Sequence, residues 1–277
     1  MFDKFLTAIK GGGDIASGVA CRLFRAGFPV FITELESPLA VRRKVAFAQA
    51  IFSQKIEIEG IKAVKVQSSN EIMPAIKKGL IPVISDYKAS CLKELKPVII
   101  VDGIMAKHNT GTKKDDAGLV IGIGPGFTAG IDVHCIIETR RGHYMGRVIR
   151  EGTASKDTAT PASLMGYTNE RLLRAPRTGS VNILKNIGEN VIAGEVVATI
   201  GNTQIKAEIQ GILRGIVHNG VFLKEGDKLG DIDPRGEQNY CFTISDKSLA
   251  VGGGVLEAIL GYINSNKCPK NFNRTIE

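Results

Sequence analysis

The chain has 277 residues, 43% of them hydrophobic and 23% charged, and a formal net charge of +8. This is the composition of a folded protein long enough for two domains with their own cores, and it excludes a disordered or fibrous chain. No run of about eighteen apolar residues occurs, and Met1-Phe2-Asp3-Lys4-Phe5 lacks the charged-then-apolar order of a signal peptide, so a cytoplasmic protein without membrane contact is expected.

Five cysteines (Cys21, Cys91, Cys135, Cys241, Cys268) are scattered without a CxxC pair, which fits a reducing compartment and argues against zinc. The basic residues are dispersed, with short clusters at Arg42-Arg43-Lys44 and Arg140-Arg141. With no Trp and no nucleic-acid motif, the charge points to a phosphorylated small molecule or an acidic protein partner and away from nucleic acid.

In chain order, residues 6–10 read as a strand, Gly11-Gly12-Gly13 as a turn, and Asp14 to Ala26 as a helix with Ile15, Val19, Leu23 and Phe24 on one face. Gly27 ends that helix, and Pro29 to Thr33 form a strand followed by Glu34. Residues 41–52 are expected as a second amphipathic helix, 55–58 and 62–66 as a hairpin turning at Glu59-Gly60, and 72–78 as a short helix. Apolar strands follow at 81–85, 98–101, 119–123 and 133–138, with 144–149 pairing beside the last. Near-continuous Ile and Val between helices or loops predicts a Rossmann-like, mostly parallel sheet covered on both faces, over residues 1–152. Residues 153–174, rich in Ser, Thr, Ala and Gly, are the predicted linker.

Residues 175–235 contain a repeat. Ala175, Gly179, Gly188, Gly194 and Ile200 recur 32 residues later as Ala207, Gly211, Gly220, Gly226 and Ile232. Glycines at strand junctions supply backbone angles that branched residues avoid, so each copy reads as half of a small all-β barrel-sandwich hybrid of the biotinyl or lipoyl kind. The hairpin joining the halves, Ile200 to Gln204, lacks the lysine of a carrier, so a structural or docking module is expected. A last strand at 240–244 and an apolar helix at 255–263 complete the region 236–277, and the helix is too greasy not to pack back on a domain.

Three segments could carry chemistry. Gly11-Gly12-Gly13-Asp14-Ile15-Ala16 has the G-x-G-x-x-[GA] spacing between a strand and a helix, with Glu34 at the end of the next strand; it could hold a pyrophosphate and a ribose, or be a tight turn with Asp14 as the helix cap. Gly124-Pro125-Gly126-Phe127 lies in a second glycine-rich loop after a strand and is either a ligand loop or a tight connection. Residues 138–147 concentrate Glu138, Thr139, Arg141, His143 and Arg147. Arginine forks there could take a phosphate beside a proton-transferring histidine, or the segment could be a solvated strand edge. Asp102 and Lys107 follow another strand end. His143, Lys107 and Asp102 are therefore the catalytic candidates. Gly11, Gly12, Gly13, Asp14, Glu34, Gly124, Pro125, Gly126, Phe127, Arg141 and Arg147 are the ligand-binding candidates, and no metal set is expected. Asp233 and Arg235, near the end of the repeat, are as apt to pair with each other as with a partner.

The blocks GGGDIASG, TELESPLAVRRKVAF, VDGIMAKHNTGT, IGIGPGFTAGIDVHCIIETRRGHYMGRVI, GDIDPRG and SDKSLAVGGGVLEAI, which span nearly the whole chain, resemble the YqeB family of selenium-dependent molybdenum hydroxylase system proteins. That resemblance implies an accessory factor for maturation of such a hydroxylase, loosely analogous to XdhC and CoxF, with the hydroxylase as client and a nucleotide or molybdopterin as ligand. An NAD-dependent oxidoreductase and a non-catalytic scaffold are the alternatives. In the redox reading, Glu34 favours NAD over NADP, His143 is the acid or base and Arg141 anchors substrate. Whether the chain turns over a substrate or forms a homo-oligomer is left open.

Overall fold

The computed structural model describes residues 2–157, 161 and 163–267. The larger sheet has nine strands: β1 (Thr7–Lys10), β2 (Val30–Glu34), β3 (Lys55–Ile58), β4 (Ile61–Val66), β5 (Ile81–Ser85), β6 (Ile99–Asp102), β7 (Leu119–Ile123), β8 (Cys135–Ile137) and β9 (Val148–Ile149). Their order is β3-β4-β5-β2-β1-β6-β7-β8-β9. Strands β4 to β8 run parallel, whereas the edges β3 and β9 pair antiparallel with β4 and β8.

Period-two alternation sorts the apolar residues between two layers. Ile9, Ile32, Val101 and Ile121 face the layer holding α1 (Asp14–Arg25) and α5 (Asp246–Lys267). Ala8, Phe31, Ile100 and Val120 face the layer with α3 (Ile72–Lys77) and the single turn α4 (Leu92–Leu95). Despite its Thr and Lys, β1 is central, and Thr7, Ala8 and Ile9 are fully buried.

The remaining strands are β10 (Leu172–Arg174), β11 (Gly179–Ile183), β12 (Asn190–Val191), β13 (Val196–Ile200), β14 (Thr203–Lys206), β15 (Gly211–Ile216), β16 (Phe222–Leu223) and β17 (Lys228–Asp233). They form two four-stranded antiparallel sheets, β10-β17-β15-β12 and β14-β13-β11-β16. The sequence repeat is visible in the backbone: β11, β12 and β13 begin 32 residues before β15, β16 and β17. Paired glycines share their torsions, with φ of +85° and +84° at Gly194 and Gly226. β10, from the end of the expected linker, corresponds to β14, which explains why Arg174 and Lys206 align.

The expected fold class is therefore corrected. In place of a Rossmann-like mostly parallel sheet with a biotinyl-like barrel-sandwich hybrid, the chain has a mixed nine-stranded sheet and two four-stranded antiparallel sheets. The hairpin at Glu59-Gly60 and the return from β8 to β9 make the large sheet mixed.

Local expectations change too. Residues 41–52 form two 3-10 turns and the one-turn α2 (Ala50–Ser53) instead of one helix, because Ala46 is extended and Phe47 and Ala48 donate their N–H groups to Ser17 Oγ and the Gly12 carbonyl. Residues 238–241 are a 3-10 turn where a strand was expected. α5 starts nine residues before the expected helix and runs through Gly252-Gly253-Gly254. Glycine inside a helix costs about 1 kcal/mol each. Two of these admit close neighbours: a Cβ on Gly252 would lie 3.1 Å from the Gly18 carbonyl oxygen and one on Gly254 2.1 Å from that of Gly146.

Candidate functional site

The first glycine turn is occupied by the protein itself. Gly12 N–H, the group that would meet a phosphate, donates to Glu34 Oε2 at 2.6 Å, and Leu35 N–H donates to Oε1 at 2.7 Å. Burial raises the Glu34 carboxyl above its ordinary value even though both N–H groups favour the charged form. Gly11, at φ +85°, packs on Ile104, and a Cβ on Gly12 would lie 2.9 Å from the Ala48 nitrogen. Gly13, not Asp14, is the helix cap, and Asp14 opens the first turn 3.5 Å from the Arg42 guanidinium. Glu34 therefore closes the loop, with one N–H group bonded to each carboxylate oxygen.

The second glycine loop is equally close-packed. A Cβ on Gly124 would lie 2.8 Å from Thr139 Oγ1, and one on Gly126 2.8 Å from the His108 backbone. Phe127 is buried against Gly122, and of the four expected binding residues only Pro125 lines a cavity. Asp102 is buried in a network with Lys10 and Thr112: both Lys10 Nζ and the Thr112 hydroxyl approach it, and Lys10 also donates to Thr112. Lys107 pairs with Asp157 at 2.6 Å. His143 is exposed, edge-on to Tyr144, and Arg147 stacks over the same ring 4.9 Å from its centre. The three catalytic candidates are thus dispersed, and only Lys107 lines a cavity.

What the rim builds instead is a basic cleft. Glu138, at the end of β8, is its anchor: its carboxylate accepts N–H groups of Thr139 and Arg140 at 2.7 Å each and of Ser155 at 2.8 Å. Burial alone would raise this carboxyl, but the bonds from Arg140, Ser155 and Thr139 outweigh it and hold it below the ordinary range. They fix the loops on which Arg140, Arg141 and Lys156 stand. A cleft of about 720 Å³ opens beside them, lined also by Lys107, by Arg174 and Lys228 of β10 and β17, and by Lys247 of α5. Met105, Pro125, Pro161 and Leu172 supply apolar wall, and Asp157 is the one carboxylate in the described lining. Arg141 grips Asp246, the first residue of α5, with Nη1–Oδ2 at 2.6 Å and Nη2–Oδ1 at 3.0 Å, which draws that carboxyl down to about 2.

A second cavity of about 610 Å³ continues inward, sharing Arg141, Pro161, Lys228 and Lys247 with the first. It is lined by Arg42, Arg171 and Arg214, none of them among the residues expected for the site. Asp233 of β17 pairs with Arg235 at 2.6 Å and Arg214 at 3.4 Å, so of the alternatives left open for Asp233 and Arg235 the mutual pairing is present. Arg214 stands in an apolar strand, and Asp231 and Asp233 flank Ile232. Charge at buried strand positions is the one sequence signal that marks this cavity.

Cys21, Cys91, Cys135 and Cys241 are buried, and burial pushes the first two thiols up to about 12 and the third to about 11. None is a ready thiolate; Cys268 lies outside the described residues. Among the described residues no group of three or more His, Cys, Asp or Glu could hold a metal, and no helix is long and apolar enough to cross a membrane.

No family model matches the chain. It is 48% identical over 255 residues to the uncharacterized protein YqeB of Escherichia coli (strain K12), an alignment covering 92% of this chain and 47% of the relative. This supports the resemblance to the YqeB family, and the chain spans about half the length of the curated relative it matches. Among solved structures it is similar to a succinylglutamate desuccinylase/aspartoacylase from Rhodobacter sphaeroides (18% identity, 31% of this chain and 29% of that one, TM-score 0.22). It is also similar to a succinylglutamate desuccinylase from Silicibacter sp. TM1040 (12% identity, 84% and 85%, TM-score 0.25) and to the ectoine utilization protein EutE from Ruegeria pomeroyi (12% identity, 82% and 85%, TM-score 0.25). Likeness at this level carries no argument about activity. None of these proteins is named for molybdenum, selenium or maturation, so those expected attributes of the chain find no support in them, and the maturation role itself is not tested by them.

Proposed function

We propose that the chain is a binding protein for a phosphate-bearing organic molecule of about nucleotide size, held in the basic cleft between the rim of the large sheet and the repeat module. The observation that carries this reading is the imbalance of the lining: seven lysine and arginine side chains face a cleft whose described lining has one carboxylate, Asp157. Its volume, about 720 Å³, falls in the range of small-molecule sites, and the wall of Met105, Pro125, Pro161 and Leu172 suits a flat organic part. Arginine forks recognise phosphoryl oxygens in two-pronged fashion, and lysines add point charge.

An NAD-dependent redox reading draws no support from the rim, since Glu34 and Gly12 bond to each other. The link to a molybdenum hydroxylase rests on the family resemblance alone and on no residue of the cleft. Calorimetric titration of the full chain with ADP and with NAD tests the proposal. Binding should weaken at least tenfold in the double variant Arg140→Ala/Lys156→Ala; equal affinity in native and variant proteins, or no binding of either compound, would remove the cleft as the site.

A further inference from the structure

The inner cavity has a chemistry that the outer cleft does not share. Three of its cations are buried: the side chains of Arg42 and Arg171 are each 10% exposed and that of Arg214 13%. A guanidinium out of water normally has each N–H group bonded. Here the Nε groups of Arg42, Arg171 and Arg214 have no hydrogen-bond partner among the described residues, nor has Asp231 Oδ1, which lies 3.6 Å from Arg171 Nη2. Three buried arginines, each with an unbonded Nε, line one cavity, a polar cluster that the described residues leave under-satisfied.

Charge agrees with this. Seven lysine or arginine side chains line the cavity against Asp14, Asp231 and Asp246, and even with Asp233 behind Arg214 three positive charges are in excess. Burial, and then Arg42 beside it, depress the Arg214 guanidinium; burial, and then Arg141, depress Lys247. Like charges gathered around one cavity repel each other until an anion joins them. A single carboxylate would leave most of the excess uncompensated, whereas a phosphate dianion offsets two of the three charges and offers three terminal oxygens to guanidinium forks. The opening turn of α5, with Ser245, Asp246 and Lys247, lines the same cavity, so the positive end of a 22-residue helix adds to its field.

We infer that the cavity formed by Arg42, Arg171 and Arg214 beneath the start of α5 is an oxyanion site for a phosphate-type dianion, separate from the contacts of the outer cleft. Taken with the proposed function, on which this last step rests, the ligand then carries two anionic groups, one in each chamber, with Lys228 and Lys247 between them.

The test titrates the full chain with inorganic phosphate and with ADP, and follows arginine modification by phenylglyoxal with peptide mass spectrometry. Phosphate should protect Arg42, Arg171 and Arg214 from modification. Its affinity should fall at least tenfold in Arg171→Lys, which keeps the charge but loses the fork, and stay within about twofold in His143→Ala, at a residue that lines neither cavity. Protection of the three arginines by ADP as well would assign the site to the phosphoryl group of the larger ligand; protection by inorganic phosphate alone would assign it to the free ion. Both outcomes support the oxyanion site. Unchanged reactivity of the three arginines at saturating phosphate overturns it, with no need for a variant to fold. ADP binding that is lost only in the outer double variant would then leave the proposed function standing by itself.

Discussion

Two long helices begin at the rim of this molecule, and they end in opposite conditions. The turn before α1 has the glycines that would admit a pyrophosphate, yet Glu34 occupies Gly12 N–H and the 3-10 turn at Phe47 and Ala48 closes its side. α5 begins at Ser245-Asp246-Lys247, with no glycine signature before it, and opens on a cavity with three unbonded arginine donors. A glycine pattern shows that the backbone can come close to something; it does not say whether the neighbour is a ligand or the protein's own carboxylate. The number of donors left without acceptors makes that distinction.

Substitutions can break or sharpen this contrast, and the largest effect is expected where the two helices touch. A Cβ on Gly18 would lie 2.5 Å from the Ser248 Cβ, so Gly18→Ala must lift the start of α5 away from α1. We expect a loss of about 3 kcal/mol in urea unfolding, as for other overpacked contacts, together with weaker phosphate binding. Unchanged stability would mean that the contact between α1 and α5 is looser than described.

Glu34→Gln addresses the sealed turn. It removes one of the two acceptors of a part-buried and an exposed N–H group and should cost up to about 1 kcal/mol at about pH 4. Burial places the folded-state value of Glu34 above its ordinary 4.5, so the stability it contributes is fully present below that value and lost as pH rises through the raised one. The deficit of the variant should therefore shrink or reverse between about pH 4 and pH 7 in thermal unfolding. A deficit that grows with pH would show that the native carboxylate is at ease when charged.

Smaller effects belong to the open end. Asp246→Asn releases the Arg141 fork. Because the Asp246 side chain is 66% exposed, solvent screening limits the pair to less than about 1 kcal/mol. With its folded value near 2 against an ordinary 3.8, that contribution is present above 3.8 and disappears as pH falls through 2. At neutral pH the freed fork should raise phosphate affinity severalfold in calorimetry, and a decrease would show that Arg141 acts only as a tether for α5. His143→Ala should leave ADP affinity within about twofold, since His143 is exposed and lines neither cavity.

Much of the architecture was legible along the chain because it depends on local periodicity. Alternating Ile and Val placed the central strands, and the 32-residue repeat fixed where β11 to β13 and β15 to β17 begin. The strand ends at Glu34, Asp102 and Glu138 were legible as well, whereas the sequence left open whether Asp233 and Arg235 pair with each other, as they do. Less legible were the antiparallel edges that overturn the expected fold class, since the direction of an edge strand depends on which neighbour it meets. The broken helix at 41–52 was hidden for a similar reason: its apolar spacing is helical, but Ser17 and Gly12 draw its N–H groups away.

The sequence by itself determined the strand periodicity, the duplicated module and an excess of positive charge. Only the tertiary structure decided where that charge gathers. Arg42, Arg171, Arg214 and Lys247 are far apart along the chain, and of the four only Arg214 stands out in sequence, as a charge inside an apolar strand. They become a site because β15, β17 and the starts of α1 and α5 converge, and hydrogen-bond satisfaction is a property of that convergence, which no local spacing encodes.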